Sequence, residues 1–175
     1  MRYPYFKIDR LMYGWINFRI AEYCLEASDF LNYDLPKKLI EKIIRLIKDI
    51  SDEEWLYVQN EPGAEIMCLD KTDNGICFSN YSCKKESYEL DPKDENGEQF
   101  SRDQKLFSIE IDFSDIIDSL VSEFSLYENG NGRKLYEYHW GEFPCKEFIE
   151  IKNIAFDMDL KKQKGDELFC STFLK

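Results

Sequence analysis

Apolar positions along the chain change period several times, and each change marks an element. Ile16, Phe18 and Ile20 alternate with Asn17 and Arg19, the two-residue period of a half-buried strand. Residues 5–31 lack helical punctuation, so the stretch reads as extended, with Gly14 at a turn or bulge. Tyr23 and Leu25 fall on the other parity, and a bulge at Ala21 or Glu22 is the expected cause.

Helical spacing follows. Leu39, Ile40, Ile43, Ile44, Ile47 and Ile50 recur at intervals of three and four. Asp34 reads as the N-cap, and Pro36 falls in the first turn, where a missing N–H costs little. The other face carries Lys38, Lys42 and Arg45, which reads as a solvated basic stripe. Three short apolar runs come next: Trp55–Asn60, Ala64–Leu69 and Gly75–Cys83. Pro62-Gly63 and Asp73-Asn74-Gly75 separate them as turns, so an antiparallel meander is expected. Residues 86–103 carry seven acidic and two basic side chains and few apolar ones, the composition of an exposed loop or hairpin end. Lys105–Ile111 returns to alternation, with Phe107, Ile109 and Ile111 on one face.

A second helix is expected from Asp112 or Ser114 to about Tyr127, with Phe113, Ile116, Ile117, Leu120, Val121 and Phe124 as its stripe. Asp112, Asp115 and Asp118 suit its positive end, and Asn129-Gly130-Asn131-Gly132 reads as its stop. Arg133–Trp140 is aromatic-rich and fits neither period. Pro144 opens a third helix bearing Phe148, Ile151 and Ala155, with Phe143 placed as a hydrophobic staple on Phe148. The charged tail ends in Leu168–Leu174, read as an edge strand. The expectation is one α+β domain over 1–175, its mostly antiparallel sheet of about five to seven strands packed on two or three helices.

Charge sharpens this picture. The 175 residues carry a net −12, which disfavours nucleic acid and anionic membranes and favours a basic protein partner or plain solubility. The excess is uneven: residues 110–128 hold six acids and no base, whereas 36–50 hold five bases and two acids. The longest run free of charged side chains is the ten residues Asn74–Cys83, too short to span a bilayer, and Met1–Arg10 lacks the apolar region of a signal peptide. A cytoplasmic protein is expected. Six cysteines without C-x-x-C spacing read as reduced, mostly buried thiols rather than metal ligands.

Candidate chemistry is sparse. Any triad-type site would have to use His139, the one histidine, with Tyr138 and nearby carboxylates, and no nucleophile elbow or phosphate loop accompanies it. No motif calls for a cofactor or a metal. The remaining candidates are surface groups. Asp91, Asp94, Glu95 and Glu98 in the acidic loop, with Asp115, Asp118 and Glu123 on the second helix, would steer a cationic partner. Tyr138 and Trp140 would anchor an interface, with core packing as their alternative role.

Tyr13-Gly14-Trp15, Glu61-Pro62-Gly63 and Tyr138-x-Trp140-x-x-Phe143-Pro144, set on a small acidic α+β frame from about residue 6 to 156, resemble immunity proteins of bacterial polymorphic toxin systems. The resemblance implies no catalysis. It implies tight binding to a cognate toxin, often a nuclease, whose active site is occluded. Binding positions differ within that class, so it assigns no residue. A small hydrolase or transferase at His139, and a scaffold or oligomer subunit, are the alternatives.

Overall fold

The structure, a computed structural model, describes residues 4–28, 33–60, 63–83 and 102–173, with side chains up to Leu160. Among the described residues, seven antiparallel strands form two sheets. The first, ordered β1-β2-β3, comprises β1 (Phe6–Met12), β2 (Trp15–Ile20) and β3 (Tyr23–Ser28). The second, ordered β4-β5-β6-β7, comprises β4 (Glu53–Asn60), β5 (Gly63–Lys71), β6 (Gly75–Cys83) and β7 (Gln104–Asp112). The helices among the described residues are α1 (Leu35–Ile47), α2 (Phe113–Ser125), α3 (Gly130–His139) and α4 (Cys145–Phe173). The class is α+β, as the periodicity predicts, with the strands divided between two sheets and one more helix than expected.

The change of parity after Ile20 has a different cause from the expected bulge. Ala21 and Glu22 form a two-residue turn, with Ala21 at φ 52°, so Ile20 pairs with Tyr23 and Phe18 with Leu25. Paired residues share a face, and a two-residue turn therefore moves the core positions from even to odd numbers. The irregularity in this sheet lies between Ile8 and Arg10 instead.

Helix α1 starts where its capping chemistry places it. Asp34 accepts the Lys37 N–H at 3.3 Å, and seven residues of the helix are buried. It ends at Ile47, so Ile50 lies beyond it and is exposed. Helix α2 ends at Ser125, ahead of the Asn-Gly repeat. That repeat begins α3: a Cβ on Gly132 would sit 2.0 Å from the Leu126 carbonyl oxygen. The aromatic segment from Arg133 is this helix, which buries only Tyr136. The expected C-terminal strand is instead the continuation of α4 to Phe173.

One core joins these pieces. Phe124 of α2 is its hub, 5.8 Å from the Phe6 ring, 6.1 Å from Phe143 and 6.1 Å from Phe148. The expected staple is present, with Phe143 and Phe148 edge to face at 5.6 Å. The two sheets meet where Tyr23 stacks on Phe107 at 4.1 Å. Helix α2 also closes the open side of β1. Its Ser119 Oγ accepts the Tyr5 N–H at 3.0 Å and its Glu123 carboxylate accepts the Ile8 N–H. Side chains one helical turn apart thus satisfy donors of an edge strand. Among the described residues, no helix is long and apolar enough to cross a membrane.

Candidate partner-binding surface

The hairpin between β1 and β2 turns at Tyr13 and Gly14, at φ 48° and 81°. Two consecutive left-handed residues are what a two-residue hairpin turn requires. This turn docks on the end of α3. The Gly14 N–H donates to the His139 carbonyl at 2.6 Å, satisfying an acceptor that a helix terminus leaves open, and the Tyr13 N–H reaches His139 Nδ1 at 3.4 Å.

Three rings meet above this junction. Tyr13 and Tyr138 lie edge to face at 6.0 Å, and His139 is 5.1 Å from the first and 4.9 Å from the second. Yet Tyr13 is 70% and Tyr138 71% exposed. A bulky residue with positive φ is uncommon, and here it holds a large aromatic ring out in solvent. Among the described residues no hydroxyl, thiol or carboxylate is hydrogen-bonded to the His139 ring.

The other sequence candidates divide. Asp118 is exposed and Asp115 half-buried on α2. Glu123 is not a surface acid: it is buried against β1, and that burial pushes its carboxyl above the usual range, opposed by the Ile8 N–H and Lys7. Its position three residues after Leu120 and seven after Ile116 sets it beside the apolar stripe, a signal that charge counting overlooks. Trp140 is core rather than interface, 6% exposed, with its indole N–H donating to Asp34 Oδ1 at 3.1 Å. Asp91, Asp94, Glu95 and Glu98 lie outside the described residues. Arg102, at the end of that segment, stacks on Trp55 at 3.9 Å.

The basic stripe of α1 is also not simply a solvated face. With α4 and the start of β4 it lines a groove of about 500 Å³. There Lys42 Nζ and Arg45 Nε hold the buried Glu54 carboxylate at 2.9 and 2.5 Å, with Ser51 Oγ at 2.5 Å. Burial alone would raise the Glu54 pKa, but the Arg45, Lys42 and Ser51 hydrogen bonds together hold it below the usual range. Lys48 pairs with Glu150 and Lys37 with Glu147, tying α1 to α4. The groove carries equal numbers of cationic and anionic side chains, so its field is not that of an anion site.

The five cysteines whose side chains are described lie outside any disulfide, and of these only Cys68 is buried. Burial pushes its thiol up to about 12, which suppresses the thiolate. No group of potential metal ligands occurs among the described residues. Comparison with protein-family models, curated proteins and solved structures finds no match to this chain.

Proposed function

We propose that this chain is a non-catalytic binding protein of the immunity type, which neutralises a basic toxin domain by covering its active site. The observation that carries this reading is the exposed Tyr13–Tyr138 pair. Tyrosine offers large contact area at low entropic cost, and both rings are already fixed by each other, by His139 and by the docked turn. Preorganisation of this kind lowers the cost of binding. The resemblance at Tyr13-Gly14-Trp15 and Tyr138-x-Trp140 falls on the same two places. The net charge of −12, and Asp115 and Asp118 on α2, supply the complement to a cationic partner.

The test is neutralisation. The chain is co-expressed with toxin domains encoded beside its gene, and the rescued toxin is used for binding kinetics. Asp115→Lys with Asp118→Lys is expected to slow association and flatten its salt dependence. If no neighbouring toxin is neutralised and affinity capture recovers none of them, the proposal falls.

A further inference from the structure

In an edge-to-face pair, the ring whose edge points at its neighbour keeps both of its own faces clear of that neighbour. Tyr13, Tyr138 and His139 make three such contacts, with ring planes crossing at 65°, 75° and 84°. Each contact covers at most one face, so the trio leaves at least half of its ring faces open. The two tyrosines are the most exposed aromatic side chains among the described residues, and His139 is half-buried. Open ring faces on this junction therefore front solvent.

Elsewhere the fold covers ring faces with cations. Arg102 lies 3.9 Å over Trp55, Arg133 4.7 Å over Phe143 and Lys152 4.7 Å over Phe148. Among the described residues no cation lies over Tyr13 or Tyr138. A ring face carries negative potential, and the chain around it has a net charge of −12, so both select a cationic occupant. Shape selects which cation. The Tyr13 and Tyr138 centroids are 6.0 Å apart with their planes at 65°, and a flat guanidinium stacked on one ring turns an N–H edge towards the other. An ammonium is compact and more strongly hydrated. Arg102 already serves two rings at once, 3.9 Å from Trp55 and 5.7 Å from Tyr81.

We infer that the Tyr13–Tyr138–His139 cluster seats an arginine side chain of the partner, its guanidinium held against the tyrosine faces. The inference rests on the reading of this surface as the partner-binding one, and it names the group that the partner inserts.

NMR spectroscopy of the full chain, titrated with N-acetylarginine amide and with N-acetylcitrulline amide, tests it. Citrulline keeps the planar end group and lacks the charge. The expected result is a saturable arginine response centred on Tyr13, Tyr138 and His139. Citrulline should bind about two- to fivefold more weakly, the factor that a surface cation–π contact supplies. Tyr138→Leu leaves the fold intact, because the ring is mostly exposed, and halves the response at Tyr13 or reduces it further. Equal responses to the two probes overturn the inference. So does a response spread over the acidic surface with no maximum at the three rings, or one that survives Tyr138→Leu. A neutralised toxin together with equal probe responses would strike the arginine seat and keep the immunity reading. A response specific to arginine without any neutralised toxin would keep the seat and strike that reading.

Discussion

The indole N–H of Trp140 donates to Oδ1 of Asp34 at 3.1 Å, the same oxygen that caps α1 by accepting the Lys37 N–H. One carboxylate oxygen thus fixes the start of the first helix and the loop joining α3 to α4, across 106 positions of sequence. Burial raises the Asp34 pKa above its ordinary 3.8, against the opposing Trp140 and Lys37 hydrogen bonds. The folded state therefore holds this proton more tightly than the unfolded chain, so ionisation at neutral pH works against folding.

Asp34→Ala removes the cap and leaves the indole N–H unpaired, a combined loss of about 2–4 kcal/mol. Asp34→Asn keeps the oxygen acceptor and removes the buried charge. It is expected to match or exceed wild-type stability at pH 7, with that advantage shrinking as the pH falls towards the ordinary aspartate value. Urea unfolding followed by tryptophan fluorescence at both pH values checks this. An asparagine variant as damaged as the alanine one would refute the account.

Glu54 has the opposite sign. Its carboxyl is held below its ordinary 4.5, so its stabilising effect is present above that pH and is lost as the pH falls through the lower, folded-state value. Glu54→Gln is expected to destabilise at pH 7 and to flatten the acid limb of the stability profile. Glu54→Ala, which strands Lys42 at 12% side-chain exposure, should cost about 3 kcal/mol at neutral pH. Equal acid sensitivity in wild type and Glu54→Gln would exclude this carboxylate as the source.

What the sequence revealed follows from which interactions are local. The Asp34 cap, the stripe of α1, the staple from Phe143 to Phe148 and the β4–β6 meander all rest on residues close together in the chain, and periodicity finds them. Helix α3 escaped because it buries only Tyr136 and so has no stripe. Glu123 was misplaced because its partner is a backbone donor on β1, distant in sequence. The candidate surface was half legible: Tyr138 stood out as an aromatic anchor, but its juxtaposition with Tyr13 depends on a hairpin docking across the fold.

The Glu123 position changes one mutational expectation. Glu123→Lys strands the Ile8 N–H and buries a cation, so it should unfold the protein rather than report on a partner. Glu123→Gln keeps an acceptor for Ile8 and removes the ionised form that burial disfavours. It should be at least as stable as wild type at pH 7, converging with it as the pH falls to the ordinary glutamate value. Thermal melts of the two variants separate these outcomes, and similar melting of both would remove Glu123 from the edge of β1.

Gly132 and Gly14 separate two reasons for glycine. Space is the constraint at Gly132, where a Cβ meets the Leu126 backbone. Gly132→Ala is expected to cost at least about 2–3 kcal/mol by displacing α3 from the end of α2. Gly14 has open space but φ of +81°, so Gly14→Ala should cost about 1–2 kcal/mol from backbone strain alone. Chemical denaturation ranks them, and the reverse order would contradict the seating of α3.

The tyrosine pair makes the sharpest distinction between folding and binding. Both rings are mostly exposed, so Tyr13→Ala and Tyr138→Ala should each change stability by less than about 1 kcal/mol. Against a neutralised toxin each should weaken binding by about tenfold or more, mainly through faster dissociation. Because the rings touch, removing one loosens the other. The double variant should therefore lose less affinity than the two single losses combined. Additive losses would mean that the rings act as separate contacts. Unchanged affinity in both single variants would move the binding surface away from the hairpin tip and towards Asp115 and Asp118.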